Sequence, residues 1–118
     1  MKRARAIKFR AIDKKTKKVV FEGTLADVRN AAGRLNFTTW EWLEYTGRKD
    51  KYKKEIYEGN IIVEYDDLGR KPPLEVYWDE TMCGFRCRHG VYNGPLPQSK
   101  NIEVIGNIYE NPEILEKE

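Results

Sequence analysis

Cys83, Cys87 and His89 are the residues whose types best suit a metal ion. A structural zinc site needs four nitrogen or sulfur ligands in a tetrahedron, and the chain holds only two Cys and one His. On an extended strand Cys83 and Cys87 share a face but lie roughly 13 Å apart, at about 3.3 Å per residue. That is too far for one ion or for a disulfide, so both thiols read as buried core groups and no metal site is expected. Arg88-His89-Gly90 matches a phosphatase tripeptide, but no second His is present to support phosphoryl transfer. Ser99 is the only serine and has no nucleophile elbow around it. The adjacent acids Asp66-Asp67 and Asp79-Glu80 read as turn formers. Gly69-Arg70-Lys71 lacks the spacing of a phosphate-binding loop. No catalytic residue and no cofactor is expected.

The cations have more to offer. Residues 1–18 carry Lys2, Arg3, Arg5, Lys8, Arg10, Lys14, Lys15, Lys17 and Lys18 against Asp13 alone. Glu103–Glu118 holds five Glu against Lys117. Such asymmetry fits an anionic partner or head-to-tail self-association. Candidate nucleic-acid contacts are Lys14, Lys15, Lys17 and Lys18 on one turn and Arg48, Lys49, Lys51 and Lys53 on another, the latter with Tyr52 inside it. Arg86 and Arg88 on one strand face complete the set. Cations would pair with phosphates and an exposed ring would stack on a base. The sequence pI of about 8.8 is below that of a strong nucleic-acid binder.

These residues must be positioned by mostly β structure. In residues 5–13, Ile7, Phe9 and Ala11 share one face and Lys8 and Arg10 the other, the alternation of a half-buried strand. Asp13 to Lys18 is a turn, and Val19 to Glu22 returns as a second strand. Thr24 and Asp27 form an acidic capping box ahead of a short helix from about Leu25 to Arg34. Residues 37–46 are aromatic and β-branched and predict a strand closed by Gly47. Short strands follow over 61–65, 74–78, 85–89 and 101–109, with Gly106 a bulge and a loop from Gly90 to Lys100. Turn signals every 8–12 residues predict a small barrel or roll.

Four collinear segments resemble the YopX family of phage and prophage proteins: Ala6–Lys18, Tyr45–Asp50, Lys54–Val63 and Glu103–Glu113. The third contains Glu55-Ile56-Tyr57-Glu58-Gly59-Asn60-Ile61-Ile62-Val63. The resemblance implies a phage or prophage product in a bacterial cytoplasm and a C-terminal SH3-like β-barrel. It brings no activity and no site residue. Asn60 stands where the family often has Asp, and Lys51-Tyr52-Lys53-Lys54 replaces a more usual Asn-Gly turn.

The chain of 118 residues, 35% charged, suits one small domain with a thin aromatic-rich core. No run of about 18 apolar residues is present, and the basic start lacks the apolar stretch of a signal peptide, so no membrane association and a cytoplasmic location are expected. The expected architecture is mainly β. Residues 1–46 form a hairpin, helix and strand, 47–112 an SH3-like barrel and 113–118 a charged tail. The expected function is non-enzymatic: a protein-interaction or self-assembly module, with a homo-oligomer or a host or phage protein as partner. The alternative is a nucleic-acid-binding protein.

Overall fold

The computed structural model describes residues 7–24, 26–27 and 39–116. Its strands are β1 (Lys8–Asp13), β2 (Val19–Thr24), β3 (Trp40–Lys49), β4 (Glu55–Tyr57), β5 (Asn60–Asp66), β6 (Gly69–Arg70), β7 (Leu74–Asp79), β8 (Gly84–His89), β9 (Tyr92–Pro95) and β10 (Ile102–Asn107). One helical turn, α1 (Glu113–Glu116), follows. The strands form two antiparallel sheets, ordered β2-β1-β3-β4 and β10-β5-β7-β8-β9, with β6 paired to β5.

The fold is mainly β, as the alternation and turn signals predict, but the expected SH3-like barrel is not what the pairing forms. The larger sheet ends at β10 and β9, which do not pair among the described residues, so it stays open. Turn spacing reports strand length; closure depends on a pairing between strands distant in sequence. Of the expected helix, only Ala26 and Asp27 fall among the described residues. Its capping box is present. Asp27 Oδ2 accepts from the Thr24 N–H at 2.8 Å and hydroxyl at 3.0 Å, and the Thr24 hydroxyl accepts from Asp27 N–H at 3.3 Å.

Three local readings change. β3 runs on through Gly47, which sits at φ +92° in an irregular stretch of the β3–β4 pairing. The segment read as a loop from Gly90 to Lys100 contains β9, paired to β8. Ala11 and Ile12 are both fully buried, so β1 is covered on both faces at that point. The predicted bulge at Gly106 is present as a register shift against β5.

The main core joins Ile56 of β4 to Ile62, Val76, Cys87, Ile102 and Val104 of the larger sheet. A seam from Asp50 to Asn60 ties the two sheets together. Lys51 N–H donates to Ile102 O at 2.8 Å, and Glu58 N–H to Glu44 O at 3.0 Å. Gly59 donates to Val76 O at 2.8 Å and accepts from Ile108 N–H at 2.9 Å. Gly59 is at φ +84°, and a Cβ there would lie 3.1 Å from the Tyr109 ring, so the turn needs glycine.

Candidate functional site

The turn after β3 is built around one carboxylate. Asp50 is 7% exposed, and its Oδ1 accepts from the N–H groups of Tyr52 at 2.8 Å and Lys54 at 2.9 Å. Its Oδ2 accepts from Val104 N–H on β10 at 3.0 Å. Burial pushes this carboxyl up, but the Val104, Lys54 and Tyr52 donors outweigh it and hold Asp50 below its ordinary value. With its backbone thus fixed, the turn presents Lys51, Tyr52 and Lys53 to solvent. Lys53 stands at φ +69°, a left-handed backbone that costs a side-chain-bearing residue about 1–2 kcal/mol.

Arg48 extends this surface by holding a second segment against it. Its guanidinium donates to Pro97 O and, at 3.4 Å, to Ser99 O. That contact brings Gln98 and Lys100 beside the turn. The result is an open cleft of about 720 Å³ with Lys49, Lys51, Lys53 and Lys100 around it. Among the described residues Asp50 is its only lining carboxylate, and its oxygens are already occupied by backbone donors. No ion pair engages Lys51, Lys53 or Lys100 among the described residues. The Lys51 ammonium lies 4.1 Å from the centre of the Tyr65 ring and 5.3 Å from that of Tyr52. Tyr52 is 67% exposed.

The candidate contacts therefore separate into three places. Arg48, Lys49, Lys51 and Lys53 meet at this cleft, with Arg48 as the residue that positions the opposite wall, and Tyr52 stands beside it, its ring 5.3 Å from the Lys51 ammonium. Lys14, Lys15, Lys17 and Lys18 are exposed at the β1–β2 turn, beside the far end of β3, since Asp13 pairs with Trp40. From Trp40 to Lys49 is roughly 30 Å of strand. Arg86 and Arg88 are on β8, among acids: Arg88 makes two bonds to Glu75, at 3.3 and 3.2 Å, and Arg86 lies 3.4 Å from Asp79. Those two arginines are engaged within the chain and do not join the cleft. The cations of β1 are engaged too. Lys8 pairs with Glu55, and Arg10 bonds Glu22 at 3.0 Å and covers the Tyr57 ring at 4.2 Å. Lys100 was not legible as a partner of Lys51; only the remote carbonyls that Arg48 reaches bring it there.

An acidic cleft of about 400 Å³ forms a counterpart, lined by Glu41, Glu58, Glu75, Asp79 and Glu80 with Arg88. Burial pushes the Glu58 carboxyl up; a hydrogen bond from the Glu44 N–H opposes this, while the charges of Glu44 and Glu41 add to it. Burial, with Glu41, Glu58 and Glu75 nearby, pushes the Tyr109 hydroxyl up to about 12.

The expectation of two buried thiols holds for Cys87 alone. Cys87 is fully buried, and burial pushes its thiol up to about 12. Cys83 is exposed in the β7–β8 turn, at φ +53°. The His89 ring bridges Pro73 O at 2.8 Å and Leu115 O at 2.9 Å, tying α1 to the larger sheet. Among the described residues no group of three or more His, Cys, Asp and Glu is placed to hold a metal ion. No described helix is long and apolar enough to cross a membrane.

Asn60 also has a structural assignment. Its Oδ1 accepts from Tyr57 N–H at 2.7 Å and its amide donates to Gly106 O at 3.5 Å. An Asp there keeps the acceptor and loses the donor.

The model of a protein family described as "YopX protein" matches residues 8–116. The solved structure of protein EF1440 from Enterococcus faecalis superposes with a TM-score of 0.60 at 21% identity, covering 95% of this chain and 99% of that one. That likeness is one of fold. The comparison with curated proteins finds no match.

Proposed function

This chain belongs to the YopX family, and on that premise we propose that it is a non-enzymatic interaction module that grips an anionic partner through the cationic cleft. The carrying observation is the convergence of Lys49, Lys51, Lys53 and Lys100 from two segments, the last three with no ion pair among the described residues. Clefts lined by one sign of charge concentrate ligands of the other sign. The use of the reactive groups supports a non-enzymatic role: Cys87 fills the core and His89 bridges two carbonyls. The two unpaired thiols accord with a reducing bacterial cytoplasm, and a phage or prophage origin belongs to the same proposal.

The test is elution from immobilised heparin. The triple variant K51E/K53E/K100E elutes at much lower salt than wild type. A control at the other turn, K15E/K17E/K18E, changes net charge equally and elutes close to wild type. Equal loss in both variants, or in neither, overturns the reading. Thermal midpoints check that both variants fold.

A second reading is favoured by the acidic cleft: a second copy, though net cationic, presents an anionic surface there. Its acids would receive the lysines of a neighbouring chain, and opposite charges would steer the contact. Light scattering at high concentration and low salt tests this. A mass above the monomer that falls with K51E/K53E supports it; a monomer throughout rejects it.

A further inference from the structure

The proposal that the lysine cleft binds an anion leaves its partner's chemistry open, and the aromatic side chain beside it narrows the choice. A polyanion recognised by charge alone needs only the lysines. Yet Tyr52, between Lys51 and Lys53 in the chain and beside the cleft rather than in its lining, is 67% exposed on a turn whose backbone Asp50 fixes. Holding a ring in water forfeits the gain of burying it, so the turn leaves a large apolar face free to stack. The Lys51 ammonium lies 5.3 Å from that ring's centre, which sets charge and stacking surface within reach of one nucleotide. The opposite wall, brought in by Arg48, adds Lys100 across the cleft.

We infer that the cleft takes single-stranded nucleic acid, with a base stacked on Tyr52 and neighbouring phosphates met by Lys51, Lys53 and Lys100. The inference rests on the anion-binding reading above. A cationic groove with an exposed ring is the general means of holding a single strand without reading its sequence. A duplex keeps its bases stacked on each other and gives Tyr52 nothing to stack on. An acidic peptide would use the lysines but not require the ring.

The test is fluorescence anisotropy with a labelled 15-residue oligothymidylate, a duplex of equal length and low-molecular-weight heparin. Wild type binds the single strand more tightly than the duplex. Its log affinity falls with log salt at a slope of about −2, as three neutralised phosphates on a single strand require. Tyr52→Ala weakens single-strand binding by about 10-fold, and Tyr52→Phe, which keeps the ring, restores it. Heparin binding is nearly unchanged by Tyr52→Ala. Equal affinity of Tyr52→Ala and wild type for the single strand overturns the inference, as does a duplex bound as tightly. If heparin binds and oligothymidylate does not, the anion-binding reading stands and the nucleic-acid inference falls. If neither binds, both fall.

Discussion

Asp50 turns its charge inward, and that makes it the most sensitive residue of the cationic turn. Three backbone N–H groups rely on its two oxygens. In Asp50→Asn one oxygen becomes an NH2 facing donors, and leaving such groups unpaired costs about 1–3 kcal/mol. The effect is pH-dependent with a definite sign. The folded-state value is depressed, so the stabilisation is fully present above the ordinary Asp value of about 3.9 and is lost as pH falls through the folded one. Urea midpoints of wild type and Asp50→Asn should differ most at pH 5–7 and converge as pH falls through the depressed folded-state value. Glu58 has the opposite sign. Its raised value means that ionisation at neutral pH weakens the fold, so Glu58→Gln, which keeps the acceptor for Glu44 N–H, should raise the thermal midpoint at pH 7 and not at pH 4. The cysteines separate by exposure. A disulfide reagent at pH 8 should modify one thiol in the native protein, Cys83, and two in denaturant. Two fast native thiols would contradict the buried placement of Cys87.

At the scale of elements, the run from Glu55 to Val63 is the joint of the molecule. Strand β4 completes one sheet, the turn at Gly59 bonds to β7 and to Ile108, and β5 becomes the second strand of the other sheet. Gly59→Ala meets both a left-handed backbone and the Tyr109 ring at 3.1 Å, so it should cost about 1–2 kcal/mol or more in a urea titration. The mirror case is Lys53, which adopts φ +69° without being glycine. Asn adopts this backbone at lower cost, so Lys53→Asn should keep or raise the thermal midpoint while lowering the salt needed to elute from heparin. Much of this level was legible. Strand alternation located β1, β7 and β8, the turn after β1 located β2, the Thr24–Asp27 cap was read from two residues, and the Gly106 bulge from one. The rest depended on contacts remote in sequence. Ile12 lies on the face that Lys8 and Arg10 mark as polar, yet it is fully buried, which the alternation of its own strand does not signal. Barrel closure failed for the same reason, since no local signal says whether β9 reaches β10.

For the whole molecule, net charge of +3 conceals its arrangement. Among the described residues, the cations of the first 18 positions divide between an exposed turn, Lys14 to Lys18, and side chains paired with Glu55 and Glu22, Lys8 and Arg10. Lys49, Lys51, Lys53 and the remote Lys100 converge on a cleft, while acids collect in a separate one. Sequence density of charge therefore pointed to the right residue types and only partly to the right place. Arg48 explains the difference, since it spends its guanidinium on carbonyls about fifty residues away and thereby sets where Lys100 stands.

The claim that this cleft is the binding surface is tested most directly by mapping backbone amide chemical shifts as low-molecular-weight heparin is added at low salt. The shifts should concentrate at residues 48–54 and 98–101 and disappear as salt rises. Shifts centred on Lys14–Lys18 or on Arg86 and Arg88, or no shifts at any residue, would contradict it.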